Sequence, residues 1–378
     1  MSIEKQRDIL DQLDDKMVEL FQKRMETVLE IAKAKGQDNI PVKDQGRERE
    51  ILSRLTNSCS EDLKTYCKSL YLTLFSLSRS YQKSHLSETS HLTDLIRKSR
   101  DETAKVFPKN ALVACQGIEG SYSQMAADKL FSMPSIIYFN TFEGVFNAVE
   151  SGLCRYGLLP IENSTSGSVP EVYDLMKEKH FHIAKSLKLK VQHSLFAKEG
   201  TSIGELKEIV SHQQALDQCS EFLKTLKGVK LRVSENTAMA AKTVGESQDR
   251  TLGAISSANC GPLYGLTTLK TQIENHSNNY TRFICISKEL EIYPDGDRIS
   301  LILSVPHEPG ALFDLLSKFA AKDINVSKIE SRPIPGTDFE FMFYFDLEAS
   351  VYEEAVIMLM GELDQTMENF EFLGCYGE

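Results

Sequence analysis

The chain has 378 residues, more than one hydrophobic core usually organises, so we expect two or three domains. Its residues are 41% hydrophobic and 26% charged, a composition typical of soluble globular proteins, and no apolar run is long enough to cross a membrane. The formal net charge of −11 argues against nucleic acid as a partner. It also disfavours anionic ligands, so we expect any site for a dicarboxylate to concentrate cations of its own.

The cysteines and the charged first segment bear on the cellular compartment. Eight cysteines are scattered along the chain without a C-x-x-C pair, and the histidines show no paired spacing. Free thiols in a reducing compartment explain this usage best. The opening MSIEKQRDILDQLDDK does not resemble a secretory signal. We therefore expect a cytoplasmic protein that needs no metal or cofactor and has no membrane partner.

Residues 1–90 are predicted to form an all-helical module. From Ile3 to Lys35 there is no proline or glycine, apolar residues recur at helical spacing, and Gly36 is a plausible helix stop. Such a helix would be about 50 Å long. Two shorter helices, predicted at 44–56 and 61–84, cannot cover it within one chain. We therefore expect an intertwined dimer, either as a homodimer or within a tetramer.

Polar and charged side chains recur on the faces of these predicted helices. Arg24 and Lys35 lie about three turns apart and only ~20° out of phase, with Cα atoms ~16 Å apart, so both could reach a small ligand between them. Isolated cations on helices are more often simply solvated. Five charges from Lys43 to Arg49 open the second helix. On the third helix Ser78 and Gln82 share a face; a shifted register would present Ser80 and Ser84, and we prefer the register that supplies an amide donor.

Residues 91–110 are polar and are predicted to be a linker with at most one short helix, Leu92 to Lys98. After it, residues 111–290 alternate short apolar strands with helices, which predicts an α/β domain with mainly parallel sheets. The predicted strands are 111–116, 135–139, 156–161, 182–197, 208–212, 229–234, 251–256 and 281–287. The predicted helices are 122–131, 141–151, 170–179, 214–226, 236–246 and 258–263.

Two polar islands follow apolar strands of this domain. Tyr156 to Leu159 leads into Pro160 and a run of polar and glycine residues, and Asn278 to Phe283 precedes another strand. An ordinary Ser/Thr-rich loop is the alternative. Because α/β proteins bind ligands at strand ends, the two islands predict one cleft built by distant segments. Gly117 to Gly120 lacks the G-x-G spacing of a dinucleotide site, but Ser121 opens a helix whose N-terminus could bind an anion.

Residues 297–378 predict a β-α-β-β-α-β order, which is that of a ferredoxin-like α+β domain. Strands are expected at 298–305, 324–329, 339–347 and 370–375, and helices at 310–322 and 351–367. Taken alone, this order says little about function.

The motifs of the three segments resemble three known families. PIENSTSG (160–167) together with NNYTRF (278–283), GIEGSYS (117–123) and SHQQAL (211–216) resembles prephenate dehydratases. The helical module is similar to the all-helical chorismate mutase family. PGAL (309–312) and IESRP (329–333) resemble the phenylalanine-binding ACT domains of the same enzymes. The resemblance implies a bifunctional enzyme whose dehydratase domain has two lobes, like a periplasmic binding protein, with crossings near Lys190 and Leu269.

In the helical module, the resemblance implies a site for chorismate, whose rearrangement to prephenate needs no nucleophile, metal or cofactor. It needs a compact conformer held in place, and donors aimed at the oxygen that gains charge. Arg24 and Lys35 would hold carboxylates, Lys35 and Gln82 would donate to the ether oxygen, and Arg7 would come from the partner protomer. The remaining implied residues are Asp44, Arg47, Glu48 and Ser78.

In the dehydratase segment, the resemblance implies loss of a hydroxyl and a carboxylate from prephenate to give phenylpyruvate. Thr281 would act near the leaving hydroxyl, and Glu162 would be the second catalytic acid. The other implied substrate-binding residues are Ser121, Asn163, Ser164, Thr165, His212 and Gln214. His212, a lone histidine, is otherwise as often structural, and Asn236 would be read simply as a helix cap.

In the C-terminal segment, the resemblance implies feedback inhibition by L-phenylalanine. The implied effector residues are Gly310, Ala311, Leu312, Glu330, Ser331 and Arg332. Two other readings remain open. The chain could be a non-catalytic amino-acid sensor on a two-lobed fold, or its helical module could serve only as a dimer clamp. The sensor reading gives no role to the cations at Arg24, Lys35 and Arg47.

Overall fold

A computed structural model of the chain describes residues 3–37, 44–86, 90–333 and 341–378, with side chains except those of 36, 37, 45 and 83–86. Lys43 and the side chain of Ser84, both considered above, therefore lie outside the described set. The chain divides into two compact units, Met1–Lys98 with Ile302–Glu371 and Ser99–Leu301 with Phe372–Glu378. No helix within the described ranges is both long and apolar enough to cross a bilayer.

The helical module consists of three helices, as predicted. They are α1 (Ile3–Gln37), α2 (Gln45–Asn57) and α3 (Lys64–Leu86), and α3 is preceded by a 3-10 turn, Glu61–Leu63. The N-terminal part of α1 is uncovered in this chain: Leu10 is 57% exposed and Leu20 65% exposed. Burial begins near its C-terminal half, where Met25 and Ala32 pack. The long helix is thus confirmed, and most of its apolar stripe faces no other described element.

The first lobe of the α/β domain is built on one mixed sheet. Its strands run in the order β2-β1-β3-β11-β5, and the two-residue strand β4 pairs with β3 beside this path. Their bounds are β1 (Asn110–Gln116), β2 (Met133–Phe139), β3 (Tyr156–Asn163), β4 (Gly167–Ser168), β5 (His182–Lys190) and β11 (Tyr280–Ser287). Helices α5 (Tyr122–Leu130), α6 (Phe142–Glu150) and α7 (Pro170–Lys179) belong to this lobe.

The second lobe carries a five-stranded sheet in the order β10-β6-β9-β7-β8. The strands are β6 (Ser194–Ala197), β7 (Glu208–Ser211), β8 (Lys230–Val233), β9 (Leu252–Ser256) and β10 (Thr267–Lys270). The helices are α8 (Gln213–Gln218), α9 (Ser220–Lys224), α10 (Thr237–Glu246) and α11 (Cys260–Leu263).

Three sequence predictions for this domain were wrong. The strand expected at 182–197 is two strands, β5 and β6, in different sheets, and the helix expected at 214–226 is divided into α8 and α9. The sheets are mixed rather than mainly parallel, since β11 is antiparallel to β3 and β5, and β6 is antiparallel to β9 and β10. The reason is the path of the chain. The strand through which the chain enters one lobe from the other begins at the edge of the sheet at which the neighbouring strands end. It is therefore antiparallel to those strands.

The C-terminal segment has the predicted order of elements. They are β12 (Arg298–Ser304), α12 (Ala311–Ala320), β13 (Asn325–Pro333), β14 (Phe341–Glu348), α13 (Glu354–Thr366) and β15 (Glu368–Tyr376). The sheet order is β13-β14-β12-β15, which leaves β13 at an edge. The first residues of the third predicted strand, at 339–340, lie outside the described residues, and α13 begins three residues later than expected.

The segment predicted as a linker is largely structured. Its helix α4 (His91–Glu102) has 12 residues and buries Thr93 and Ile96. Gly361 of α13 approaches Thr93 so closely that a Cβ at position 361 would collide with it. Further on, the Phe107 ring packs 5.1 Å from that of Phe131 and 5.0 Å from that of Tyr293 (centroid distances) in the first lobe. The polar composition of this segment did not indicate that two of its apolar residues, Ile96 and Phe107, pack against neighbouring elements.

We predict that Phe107→Ala destabilises the α/β domain by about 2 kcal/mol, because it removes a partly buried ring from an aromatic cluster. The measurement is the free energy of unfolding in urea. Val106→Ala is the matched control, since Val106 is 71% exposed, and it is expected to leave stability unchanged. Equal stability of both variants and the unmodified chain would contradict the anchoring role.

Candidate functional site

A cavity of about 430 Å³ lies between the two lobes of the α/β domain. The ends of β3 and β11 border it in the first lobe. The N-terminal residues of α5, α8 and α10 border it as well, so both predicted polar islands and three distant motifs meet there. Its polar lining includes Ser121, Asn163, His212, Gln214, Asn236 and Thr281. The expected cleft built from non-adjacent segments is therefore present.

Asn163 is the centre of the hydrogen bonding at this cavity. Its buried amide nitrogen Nδ2 donates to Thr281 Oγ1 at 2.9 Å and to Asn279 Oδ1 at 2.8 Å. Its Oδ1 accepts from the backbone N–H groups of Thr165 and Ser166, both at 3.0 Å, and from the Thr165 hydroxyl. Because the Thr281 oxygen accepts from Asn163, the hydroxyl hydrogen of Thr281 is available to donate toward the cavity it lines.

Glu162 does not join Thr281 at the cavity. In the β3–β11 register Glu162 is opposite Arg282, whereas Asn163 is opposite Thr281. Successive side chains of a strand point to opposite faces of the sheet, so Glu162 and Thr281 lie on different faces. Glu162 Oε1 is 2.8 Å from the Nε of the buried Arg282. The prediction of Glu162 as a second catalytic acid does not fit this geometry.

The other residues of the 160–168 motif are engaged in the backbone or with the second lobe. Ser164 accepts from the backbone N–H of Tyr280 and donates to the carbonyl of Asn278. Thr165 Oγ1 accepts from Gln218 Nε2 at 3.0 Å, and Ser166 Oγ accepts from Gln214 Nε2 at 2.7 Å. Thus Ser164 shapes the loop, while Thr165 and Ser166 connect it across the cleft to α8. Gln214 lies at the cavity as predicted.

The cavity can bind anions without cationic side chains. None of the side chains that line it is lysine or arginine, so the cavity lacks the cations expected at a dicarboxylate site. Instead, the N-termini of α5 and α10 meet at the cavity, capped by Ser121, which accepts from Gln124 N, and by Asn236, which accepts from Met239 N at 2.7 Å. Helix N-termini present free amides and a positive dipole end, which stabilise carboxylates.

Two lining residues, His193 and Glu235, were missed by sequence analysis. His193 is 2% exposed and lines the cavity, and its Nε2 lies 3.0 Å from Gln218 Oε1. Burial lowers its pKa below the ordinary histidine value, although the contact with Gln218 acts in the opposite direction. Burial also lowers the pKa of His212. The resemblance implied a crossing between lobes near Lys190, which agrees with the end of β5, but the strand expected at 182–197 ran across this break, so His193 was not placed at the cavity. Glu235 is the one carboxylate among the lining residues.

In the helical module, Arg24, Ser78 and Gln82 come together between α1 and α3. Arg24 Nη1 donates to Ser78 Oγ, and the guanidinium lies 5.9 Å from the centre of the Phe75 ring. Burial lowers the pKa of Arg24. Gln82 Nε2 donates to the Val28 carbonyl at 3.3 Å, while its Oε1 is buried without a hydrogen-bond partner in the part of the chain that is described. This arrangement favours the register with Ser78 and Gln82.

The charges at the start of α2 have separate contacts. Asp44 caps α2 by accepting from the backbone N–H of Arg47 at 2.9 Å, and Arg47 pairs with Glu50. Glu48 is held by Arg79 of α3, with Oε1 2.5 Å from Nη1. Lys35 is half-buried at the end of α1, and Arg7 is exposed near its start.

The C-terminal motifs lie on α12 and the edge strand β13. Gly310 is the N-cap of α12 with φ +96°, and an added Cβ would meet no atom within 4 Å. Ala311 and Leu312 form the first turn of α12. Glu330 and Arg332 are half-buried and Ser331 is exposed on β13, where Glu330 pairs in register with Tyr344. Among the described residues, no cluster of three histidine, cysteine, aspartate or glutamate side chains could hold a metal ion.

Comparisons with known proteins match these segments. Family models match in order: chorismate mutase type II over residues 6–83, prephenate dehydratase over 113–291 and the ACT domain over 299–356. The bifunctional chorismate mutase/prephenate dehydratase of Escherichia coli (strain K12) is 30% identical over 378 residues, which cover 98% of this chain and 95% of that protein.

Two solved structures are similar in fold over about the same part of the chain. A protein described as GqqA, a novel type of quorum quenching acylase, is 28% identical with a TM-score of 0.64, covering 70% of this chain and 97% of that chain. The prephenate dehydratase of Arthrobacter aurescens in complex with L-Phe is 24% identical with a TM-score of 0.64, covering 71% and 90%. The second likeness speaks for the fold alone.

The lowered pKa values of His193 and His212 predict acid sensitivity. Below the ordinary histidine pKa of 6.5, these two histidines bind protons in the unfolded chain but less readily in the folded chain. The free energy of unfolding therefore falls as pH decreases. The largely buried His193 contributes up to about 1.4 kcal/mol per pH unit, and the half-buried His212 contributes less because solvent screens it. Urea unfolding at about pH 7.5 and about pH 5.5 measures the fall. His193→Gln should make it smaller, and His307→Gln, at an exposed position, should not.

Proposed function

We propose a division of labour between the two candidate sites of this chain, which belongs to the family of the bifunctional chorismate mutase/prephenate dehydratases. The enzyme rearranges chorismate to prephenate in its helical module. It then dehydrates and decarboxylates prephenate to phenylpyruvate in the two-lobed domain, whose architecture we take to be of the periplasmic-binding-protein type. All eight cysteines are free thiols, which agrees with a cytoplasmic enzyme.

In the mutase site, the side chains bind the substrate in its compact conformer. Arg24 and Lys35 hold carboxylates, and Arg24 is oriented by its contact with Ser78. Gln82 uses one Nε2 hydrogen on the Val28 carbonyl and offers the other to the ether oxygen, where negative charge develops. Asp44, Arg47 and Glu48 surround the hydroxyl and ring, with Glu48 positioned by Arg79.

The site is completed by a second copy of the chain. Leu10, Leu13 and Met17 of α1 are each at least half exposed, which a soluble monomer would not tolerate along a 35-residue helix. An intertwined homodimer covers this stripe and brings Arg7 of the partner subunit to the site. The buried, unpartnered Oε1 of Gln82 is consistent with a pocket that is finished by a ligand.

In the dehydratase site, Thr281 donates a hydrogen bond to the leaving hydroxyl of prephenate. Asn163 aligns Thr281 by donating to its oxygen, and a threonine acts here as a hydrogen-bond donor because its hydroxyl is a weak acid. The carboxylates of prephenate bind at the N-termini of α5 and α10, capped by Ser121 and Asn236. Formation of an aromatic ring drives the reaction, so the protein chiefly assists the leaving group.

Neighbouring residues shape this site without entering the chemistry. Glu162 neutralises the buried Arg282 behind the sheet. Ser164 fixes the loop, and Thr165 joins it to α8 through Gln218. His212 and Gln214 line the cavity on the side of the second lobe. The Asn163–Thr281 hydrogen bond at the cavity is the observation on which this proposal rests.

We predict that Thr281→Ala lowers the rate of the dehydratase reaction by roughly 100-fold or more, because a donor to the leaving group is lost, while chorismate rearrangement continues. Arg24→Ala should do the reverse. Parallel assays with chorismate and with prephenate measure both. Thr281→Ser keeps the hydroxyl and is the matched control. Glu162→Gln should retain dehydratase activity within a few-fold, since Glu162 is outside the cavity. Loss of both activities in either alanine variant would refute separate sites.

The C-terminal domain, whose element order we take to be ferredoxin-like, binds L-phenylalanine. The φ of +96° at Gly310 and the open space around it allow the amides at the start of α12 to receive the amino-acid carboxylate, with Ala311 and Leu312 beside it. Glu330 faces the amino group, and Ser331 and Arg332 extend the site along β13, which is contributed by a different protomer. Binding that favours one quaternary state then inhibits catalysis.

We predict that Gly310→Val abolishes phenylalanine inhibition and leaves both activities intact, because a side chain at φ +96° is strained and fills the approach to the α12 amides. Inhibition curves with L-phenylalanine are the measurement. Gly228→Val is the control, since Gly228 also has a positive φ, +76°, and open surroundings. Inhibition that persists in Gly310→Val would place the effector elsewhere.

A further inference from the structure

We infer that Arg79 is a positioning residue for the mutase reaction and the link through which the effector site on α12 acts on the mutase site. The inference deepens the proposed function and rests on it. It concerns contacts inside one compact unit, because α2, α3 and α12 all belong to Met1–Lys98 with Ile302–Glu371.

The guanidinium of Arg79 is shared between two acids from different segments. Its Nη1 lies 2.5 Å from Glu48 Oε1 on α2, and its Nη2 lies 3.1 Å from Asp314 Oδ2 on α12. All three side chains are largely shielded, with exposures of 22%, 24% and 35%. A planar guanidinium holds two carboxylates in a fixed mutual geometry, so the position of Glu48 depends on that of Asp314.

Asp314 is one helical turn from the effector motif. Its backbone N–H donates to the Gly310 carbonyl at 2.8 Å, so the first turn of α12 joins the two residues rigidly. A ligand that binds the amides at Gly310 and shifts this turn moves the Asp314 carboxylate as well. The ion pair between Asp314 and Arg79 then changes its geometry. Because Arg79 also holds Glu48, the orientation of Glu48 changes as well.

A second contact defines where α12 can move. Lys318, one turn after Asp314, pairs with Glu362 Oε1 at 2.5 Å, and Ser80 donates to Glu362 Oε2 at 2.9 Å. The Lys318 and Glu362 side chains are only 13% and 6% exposed. Breaking one partner from so buried a pair is far more costly than loosening the more exposed pair of Arg79 with Asp314. The C-terminal half of α12 is therefore anchored, and its first turn is the movable part.

Neighbouring residues of α3 therefore serve two different sites. Ser78 contacts Arg24 at the mutase site, whereas Arg79 and Ser80 contact the C-terminal domain. Ser80 and Glu362 also border a cavity of about 580 Å³ between α1, α3 and α13. A purely structural bridge would use the same contacts, so the test must separate stability from coupling.

The first arm of the test uses Asp314→Asn in the full-length enzyme. Asp314 touches neither substrate nor effector, and Glu48 keeps its own, shorter contact with Arg79, so basal mutase activity should stay within about twofold. Inhibition of the mutase by L-phenylalanine should be lost, while inhibition of the dehydratase remains. Arg97→Met is the matched control: it breaks another ion pair of this unit, with Glu354 on α13, and should change neither response.

The second arm asks whether Arg79 positions Glu48. Arg79→Met should lower mutase kcat by roughly 10- to 100-fold with a smaller effect on KM, because the substrate still binds while Glu48 is misplaced. Arg79→Lys should recover part of kcat but not the response to phenylalanine, since an ammonium cannot hold both acids as a planar fork does. Dehydratase activity should be unchanged in both variants. A kcat unchanged in Arg79→Met overturns the positioning role.

The third arm measures binding directly by calorimetry. Because coupling is reciprocal, a bicyclic dicarboxylate that mimics the rearrangement transition state should weaken L-phenylalanine binding to the unmodified enzyme, roughly 5-fold or more, and should not do so in Asp314→Asn. Equal coupling in both proteins overturns the inference. If phenylalanine binds but does not inhibit the mutase, the role of Arg79 as a link is overturned, whereas the proposed effector site remains supported. Absence of phenylalanine binding refutes the proposed effector function itself.

Discussion

The buried amide of Asn163 connects two strand ends and a loop at the candidate dehydratase cavity. It is a buried polar group whose oxygen and nitrogen are both satisfied, by the loop after β3 on one side and by Asn279 and Thr281 on the other. Buried networks of this kind are rigid when complete and costly when broken. The alternation of β3 decides the rest, since it turns Asn163 toward the cavity and Glu162 toward Arg282. Asn163, which donates to Thr281, and Glu162, which pairs with Arg282, are adjacent residues whose side chains lie on opposite faces of the sheet.

In the proposed function, the two sites solve the same electrostatic problem in different ways. Both must hold a dicarboxylate on a chain with a net charge of −11. The helical module uses guanidinium and ammonium groups, with Arg24 partly buried against Phe75 so that its charge acts at short range. The cavity between the lobes uses the N-termini of α5 and α10, which cost no side-chain charge and do not depend on flexible side chains. Each solution suits its scaffold, since a helical bundle presents side chains whereas an α/β cleft presents helix ends.

Helix α3 contacts different elements on two of its faces. One face carries Ser78 and Gln82 toward α1, and the adjacent face carries Arg79 and Ser80 toward α12 and α13. A rigid helix with sites on two faces transmits a displacement without any change of its own structure. In the inference drawn above, the contact between the helical module and the C-terminal domain therefore carries regulation.

The sequence by itself determined the order of the three segments, the long first helix, the β-α-β-β-α-β order and the motifs that surround Thr281. These features are encoded locally, in hydrophobic period, caps and strand-end residues. The sequence also favoured the register of Ser78 and Gln82 from donor chemistry alone. Only the tertiary structure decided that β5 and β6 belong to different sheets and that the sheets are mixed, because strand direction depends on where the chain re-enters a lobe. It likewise decided the face of Glu162, the burial of His193, the anchoring of Phe107 and the sharing of Arg79 between Glu48 and Asp314, since all of these depend on neighbours distant in the sequence.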